Sequence, residues 1–326
     1  MVKIRMWHNH ERAEKNESPK KPSHFRRKPI YSVKKNNDSP SVFNEQTPEK
    51  GVQEIMAEIN KLVGLKSVKK LINELHAFIE IQKLRHREKL AYEPMVLHMV
   101  FKGNPGTGKT TMARLLGQLF KEMGVLNKGH IIEVERADLV GEYIGHTAKR
   151  TRDQIKKALG GILFIDEAYS LARGGDKDFG KEAIDCMVKA MEDYKDNLII
   201  ILAGYKHEME CFIETNPGLR SRFPIHITFP DYTIQELMEI AKVMLDERQY
   251  KLTADAKAQL RTLIKNRASQ HMNSGNARMV RNLIERAMRL QAVRLLNMNL
   301  PKISREDLMT ITVEDVINAY DELTED

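Results

Sequence analysis

Gly103-Asn-Pro-Gly-Thr-Gly-Lys-Thr-Thr111 stands between an apolar run, Met95–Phe101, and an apolar-patterned segment, Met112–Met123. It fits G-x-x-x-x-G-K-[ST], a loop whose backbone N–H groups wrap phosphates at the start of a helix. Gly103, Gly106 and Gly108 let the backbone turn tightly and approach phosphate oxygens without a Cβ in the way. Lys109 places a mobile point charge on the β/γ-phosphates, and the Thr110 hydroxyl suits a Mg²⁺ that bridges the same oxygens. Asn104, Pro105, Thr107 and Thr111 complete the nucleotide-binding stretch. The bland alternative is a glycine turn that happens to precede a lysine; a strand before and a helix after would exclude it.

Outward from the loop, strand-length apolar runs recur at Val96–Phe101, His130–Val134, Ile162–Ile165, Leu198–Ala203 and Ile225–Phe229. Helix-like segments near Thr110–Met123, Thr147–Leu159, Gly180–Tyr194 and Lys206–Ile213 separate them. This alternation predicts an α/β fold, a five-stranded parallel sheet between helices with ligand at the carboxyl ends of its strands. Before it, Gly51–Leu90 carries apolar residues at helical spacing, with Gly64 at a turn between two helices. After Pro230-Asp-Tyr-Thr233 strand-like runs cease. Thr233 with Glu236 reads as a capping box opening a helix to about Gln249. Further helices are expected over Ala254–His271, Ala277–Asn299 and Val313–Leu323, giving a small all-α lid. The predicted organisation is a tail over 1–50, an α/β nucleotide-binding domain over 51–231 and a helical domain over 232–326.

Ile162-Leu-Phe-Ile-Asp166-Glu167 is an apolar strand ending in two acids. Asp166 is placed to orient a water on Mg²⁺, and Glu167 to polarise an attacking water. Alone, this is a strand followed by an acidic turn. Beside a phosphate loop it favours hydrolysis of ATP over transfer to a metabolite, because a second acid directly after the Mg²⁺ acid suits a water nucleophile.

The formal charge of +8 raises nucleic acid or a membrane surface as partners until it is located. Residues 1–50 hold 12 Lys and Arg against 6 Asp and Glu, leaving only +2 for the rest. A stretch so polar cannot offset its ordering entropy, and the plain reading is a solvated tail. Two cysteines, Cys186 and Cys211, argue against a disulfide framework and suit a reducing compartment. No apolar run reaches the ~18 residues of a membrane helix. Charges and histidines fill Met1–Lys15 where a secretory signal would be apolar, so the expected location is cytoplasmic.

Seven stretches together resemble the AAA+ ATPases, in the branch that contains stage V sporulation protein K and the red-type Rubisco activase X protein. They are Leu62-Val-Gly-Leu-Lys-Ser-Val68, Gly103–Thr111, Leu139-Val-Gly-Glu-Tyr-Ile-Gly-His-Thr147, Ile165-Asp-Glu-Ala-Tyr169, Leu202-Ala-Gly-Tyr205, Asn216-Pro-Gly-Leu-Arg-Ser-Arg-Phe223 and Gly275-Asn-Ala-Arg278. The resemblance spans about residues 51–322 and is nearer the sporulation member, which implies a role in spore formation. It places Val63 and Gly64 against the adenine base, and Arg278 at the sensor-2 position on the phosphates. Arg222, with Arg220 as the second candidate, becomes the arginine finger that reaches the nucleotide of a neighbouring subunit. That implies a homo-oligomer, a hexameric ring. Tyr143 and Ile144 become the pore loop that grips a polypeptide client. One departure stands out. The fourth strand of the superfamily usually ends in a polar Asn or Thr that helps position the attacking water, whereas this chain has Ala203-Gly204-Tyr205. Either Tyr205 or a neighbour substitutes, or Glu167 positions the water alone.

Three functions compete at this point. They are an ATP-driven protein remodeller, a nucleic-acid motor or loader, and a low-turnover nucleotide-gated scaffold. The near-neutral body and the absence of a recognisable nucleic-acid module after residue 231 favour the first, leaving nucleic acid to the basic tail.

Overall fold

Each strand-length run becomes a strand: β1 Met99–Lys102, β2 Ile131–Val134, β3 Ile162–Ile165, β4 Ile199–Gly204 and β5 Ile225–Thr228. The computed structural model describes residues 49–92, 95–143, 145–173, 179–270, 275–298 and 303–325. The expected tail, but for its last two residues, and Ile144 lie outside the described residues. The five strands pair in parallel in the order β2-β3-β4-β1-β5. β3 and β4 are buried along their whole length, as strands covered on both faces must be. The pleat sorts the side chains of β1, β3 and β4 by period two. Met99, Phe101, Phe164, Ile199 and Ile201 enter one core; Val100, Leu163, Ile165, Ile200 and Leu202 enter the other.

Helices before and between the strands supply the two covers. In chain order the α/β part contains α1 Glu49–Lys61, α2 Lys66–Arg87, α3 Lys109–Glu122, α4 Arg136–Leu139, α5 His146–Ala158, α6 Gly180–Asp193, α7 Lys206–Glu214 and α8 Pro217–Arg220. Apolar faces of α1, α2 and α3 close the first core, and those of α5, α6 and α7 the second. Val96, expected in the first strand, precedes it and is exposed, because β1 starts level with Ile225 of its partner. His98 is buried just before β1, where its Nδ1 accepts from the Ile200 N–H at 3.0 Å. Burial pushes its pKa down to about 4, against a smaller opposing effect of a hydrogen bond with the Met191 backbone.

The lid contains α9 Ile234–Glu247, α10 Ala254–Gln270, α11 Asn276–Asn297, α12 Arg305–Met309 and α13 Val313–Glu325 around a third core. Its capping box forms as expected: Glu236 N–H donates to Thr233 Oγ1 at 3.2 Å, and Thr233 N–H to Glu236 Oε2 at 2.8 Å. A two-stranded parallel pair, β6 Lys251–Leu252 with β7 Thr310–Ile311, joins these helices; two residues per strand leave no periodic signal in sequence. The described residues of the sheet and the lid belong to one compact unit. Tyr232 packs against both the first sheet core and the lid core.

Candidate nucleotide-hydrolysis site

The strand order reverses at β1, so the crevice at the carboxyl ends of β1 and β4 is where an open parallel sheet takes its ligand. The phosphate loop leaves β1 at that point. Gly103 N–H donates to Gly204 O at 3.1 Å, and Phe229 N–H donates to Lys102 O at 2.7 Å, fixing the loop's root from both sides. Gly108 holds φ +93 at the start of α3, with no side chain capping the helix and no acid in its first turn. That is the reverse of the usual preference for acids there and leaves the positive end of the helix to an anionic ligand. Lys109 Nζ donates to the carbonyls of Gly103 and Asn104 at 2.8 and 2.9 Å. Burial lowers its pKa; Asp166, Asp231 and Glu167 act the other way, while Arg278 adds to the lowering. Five charged groups, from the loop, the end of β3, α11 and Asp231 in the hinge segment between β5 and α9, therefore share one field.

Asp166 and Glu167 follow β3 directly. Glu167 stands at φ +46, a left-handed backbone that is unusual outside glycine, and its N–H donates to Asp166 Oδ1 at 3.0 Å. This turn leaves the Glu167 side chain exposed while Asp166 is half-buried. Val63 is half-buried, and Gly64 (φ +64) with Leu65 (φ +54) turns the chain into α2 against the loop. A Cβ on Gly64 would meet Glu236 and Tyr232, and one on Gly108 would lie 3.6 Å from Leu65 Cδ1.

The lid presses on the loop from the other side. A Cβ on Gly106 would lie 2.2 Å from Gly275 O and 2.8 Å from Arg278 N. Glycine is therefore required at Gly106 by the lid, beyond any need of a phosphate. Arg278 is exposed beside the loop. Thr107 is fully buried, its hydroxyl donating to Asn104 O at 2.8 Å; Thr110 is half-buried and Thr111 exposed.

Two expected site elements lie elsewhere. Arg220 is exposed at the end of α8. Arg222 pairs with Glu192 and donates to Gly218 O at 3.1 Å. Both precede β5, whose start lies level with the start of β1, so they sit beyond the opposite end of these strands from the phosphate loop. Tyr143 is 66% exposed, its ring edge-on to His146 at 5.5 Å. The end of β4 is filled from another direction: a Cβ on Gly204 would lie 2.7 Å from the Tyr169 ring, which in turn faces Tyr205 at 6.1 Å.

Sequence reasoning missed Asp231, Tyr232 and Asn276, which bind the loop to the lid. Its only signals were the change of character at Pro230-Asp-Tyr-Thr233 and the Asn beside Arg278 in Gly275-Asn-Ala-Arg278. The groups present fit a magnesium nucleotide. Glycines allow close backbone approach, an uncapped helix start and Lys109 offer positive charge, and Thr110 and Asp166 offer the oxygen ligands that Mg²⁺ prefers.

Comparison with known proteins agrees with this geometry. The family described as "ATPase family associated with various cellular activities (AAA)" matches residues 99–231, and the AAA lid domain matches residues 233–326. Stage V sporulation protein K of Bacillus subtilis is 56% identical over 81% of this chain and 82% of its own length. The protein CbbX of Cereibacter sphaeroides is 45% identical over 82% of this chain and 86% of its own. The chloroplastic ribulose bisphosphate carboxylase/oxygenase activase of Cyanidioschyzon merolae is 44% identical over 82% and 92%. Among solved structures, the FIGL-1 AAA domain superposes with a TM-score of 0.55 at 17% identity, over 85% of this chain and 90% of that one, which speaks to the fold. The chain belongs to the AAA family of ATPases, enzymes that bind and hydrolyse ATP.

Proposed function

We propose that this ATPase works as a ring, a hexamer, in which each site is completed by a neighbouring subunit and drives the pulling of a polypeptide through a central pore. The observation that carries the reading is the position of Arg222. It stands off the amino ends of the strands while the phosphate loop stands off their carboxyl ends. Three residue steps of strand alone separate these levels by about 10 Å, too far for Arg222 to serve its own loop.

Within one site, Lys109 carries positive charge to the β/γ-phosphates, and the start of α3 offers its N–H groups. Thr110 and Asp166 would hold magnesium, and a bound ion would withdraw negative charge from the phosphate oxygens. Glu167, turned away from β3 by its left-handed backbone, accepts hydrogen-bonding from the attacking water and orients it. Arg222 of the next subunit stabilises charge as it develops on the γ-phosphate, a contribution worth about 10³–10⁵ in rate in related phosphate-loop enzymes. Arg278 reports the nucleotide to the lid. Tyr143, exposed and aromatic, grips the client with large contact area at little rotamer cost. Likeness to the sporulation relative suggests a cytoplasmic client in spore formation, which Glu167→Gln rings should retain during purification.

Phosphate release per subunit should rise steeply with protein concentration, and Tyr143→Ala should keep most ATPase activity while losing client remodelling. A rate per subunit independent of concentration down to the monomer would remove the shared site. Full remodelling by Tyr143→Ala would remove the pore grip.

A further inference from the structure

Three segments far apart in sequence meet at one buried side chain. Asn276, the first residue of α11, is 2% exposed and stands at φ +43. Its Nδ2 donates to Asp231 Oδ1 at 2.8 Å and to the Pro105 carbonyl at 3.3 Å, while its Oδ1 accepts from the Tyr232 N–H at 3.0 Å. Asn104 Nδ2 donates to both Asp231 carboxylate oxygens, at 3.0 and 2.9 Å. Ala277 N–H donates to Gly106 O at 3.2 Å, and the Tyr232 hydroxyl donates to Thr107 O at 3.2 Å. Four consecutive residues of the phosphate loop, Asn104 to Thr107, are thus each hydrogen-bonded to the hinge or to the lid.

We propose that Asn276 is a positioning residue that locks the phosphate loop and the lid into one body, so that the loop conformation that receives phosphate and the approach of Arg278 are set together. The inference rests on the loop being the nucleotide site and adds how that site moves the lid. An amide is the side chain this place demands, because it donates to Asp231 and accepts from Tyr232 at once. An aspartate would set a second carboxylate against Asp231. An apolar residue would strand a buried N–H and a carboxylate, and unmade bonds at buried groups are the expensive ones.

The decisive experiment exchanges the two partners in the full-length chain and titrates each variant with Mg-ATPγS by calorimetry. Asn276→Asp and Asp231→Asn should each weaken binding by about tenfold or more. The double exchange restores a donor–acceptor pair between residues 231 and 276, though not the bond to the Pro105 carbonyl, and should bind more tightly than the two single losses multiplied together would give, a non-additivity of directly coupled groups. Thermal unfolding without nucleotide is measured alongside, so that a general loss of fold is visible. Should Asn276→Asp not fold, Asn276→Ser carries the same expected loss without added charge. Single variants that bind as the parent does, or a double exchange whose loss equals the product of the two single losses, would overturn the proposal. Lys109→Ala serves as a separate control: normal binding by that variant would remove the nucleotide site itself and not the lock.

Discussion

Gly106→Ala is the sharpest structural perturbation available at the junction of loop and lid. The new Cβ would lie 2.2 Å from Gly275 O and 2.8 Å from Arg278 N, where side-chain carbons do not approach below 3.0 Å. Both obstacles are backbone, so neither can swing aside, and the lid must retreat by about 0.8 Å at Gly275. Residue 106 also stands at φ +72, which costs a residue with a Cβ about 1–2 kcal/mol. Overpacking against unyielding neighbours adds about 1–3 kcal/mol, for a total of roughly 2–5 kcal/mol. If the lid gives way instead of the fold, the same energy appears as weaker nucleotide binding, between about thirtyfold and several thousandfold. Urea denaturation and calorimetric titration with Mg-ATPγS together capture both routes. Gly218→Ala is the control, since a Cβ there meets only Arg222 Nη1 at 4.0 Å, and it should stay within about 0.5 kcal/mol of the parent. Unchanged stability together with unchanged affinity in Gly106→Ala would refute a lid seated on the loop.

Two further outcomes follow from the core and from β4. His98 has its folded pKa pushed down to about 4 from an ordinary 6.5. Between these values the unfolded chain holds the proton and the folded one does not, so this contribution is full above pH 6.5 and lost as pH falls towards 4. The loss is of order 3 kcal/mol, and denaturation series at pH 4.5 and 7 should show a difference that shrinks in His98→Gln; an unchanged difference would exclude the assignment. Gly204→Ala should cost about 1–3 kcal/mol, because its Cβ would meet the Tyr169 ring at 2.7 Å and Met209 Sδ at 2.9 Å. A neutral result by urea denaturation would show that Tyr169 does not fill the end of β4.

The sheet was legible because parallel strands covered on both faces must be apolar almost throughout, as Ile162–Ile165 and Ile199–Ala203 are. The loop's place was legible because its glycines, Lys109 and Thr110 at fixed spacing called for a strand before and a helix after, and β1 and α3 stand there. α4, α8 and α12 escaped notice, being four or five residues long, too short to display a 3.6-residue period. The lock at Asn276 was invisible for another reason. Its partners Pro105, Asp231 and Tyr232 are single polar groups distant in sequence, and no periodicity announces where they converge. Asp231 and Tyr232 read only as the start of a new segment, and the motif containing Asn276 drew attention to Arg278 instead.

Mixing two silenced variants tests most directly whether each site borrows Arg222 from its neighbour. Arg222→Ala subunits keep an intact loop, while Glu167→Gln subunits keep an intact Arg222, so each variant alone should release phosphate at a small fraction of the parent rate. In a random equimolar ring about a quarter of the seams join an intact loop to an intact Arg222. The mixture should therefore recover activity well above that of either component. A mixture as silent as its parts, with mixed assembly confirmed, or an Arg222→Ala protein that hydrolyses ATP at the parent rate, would contradict the account.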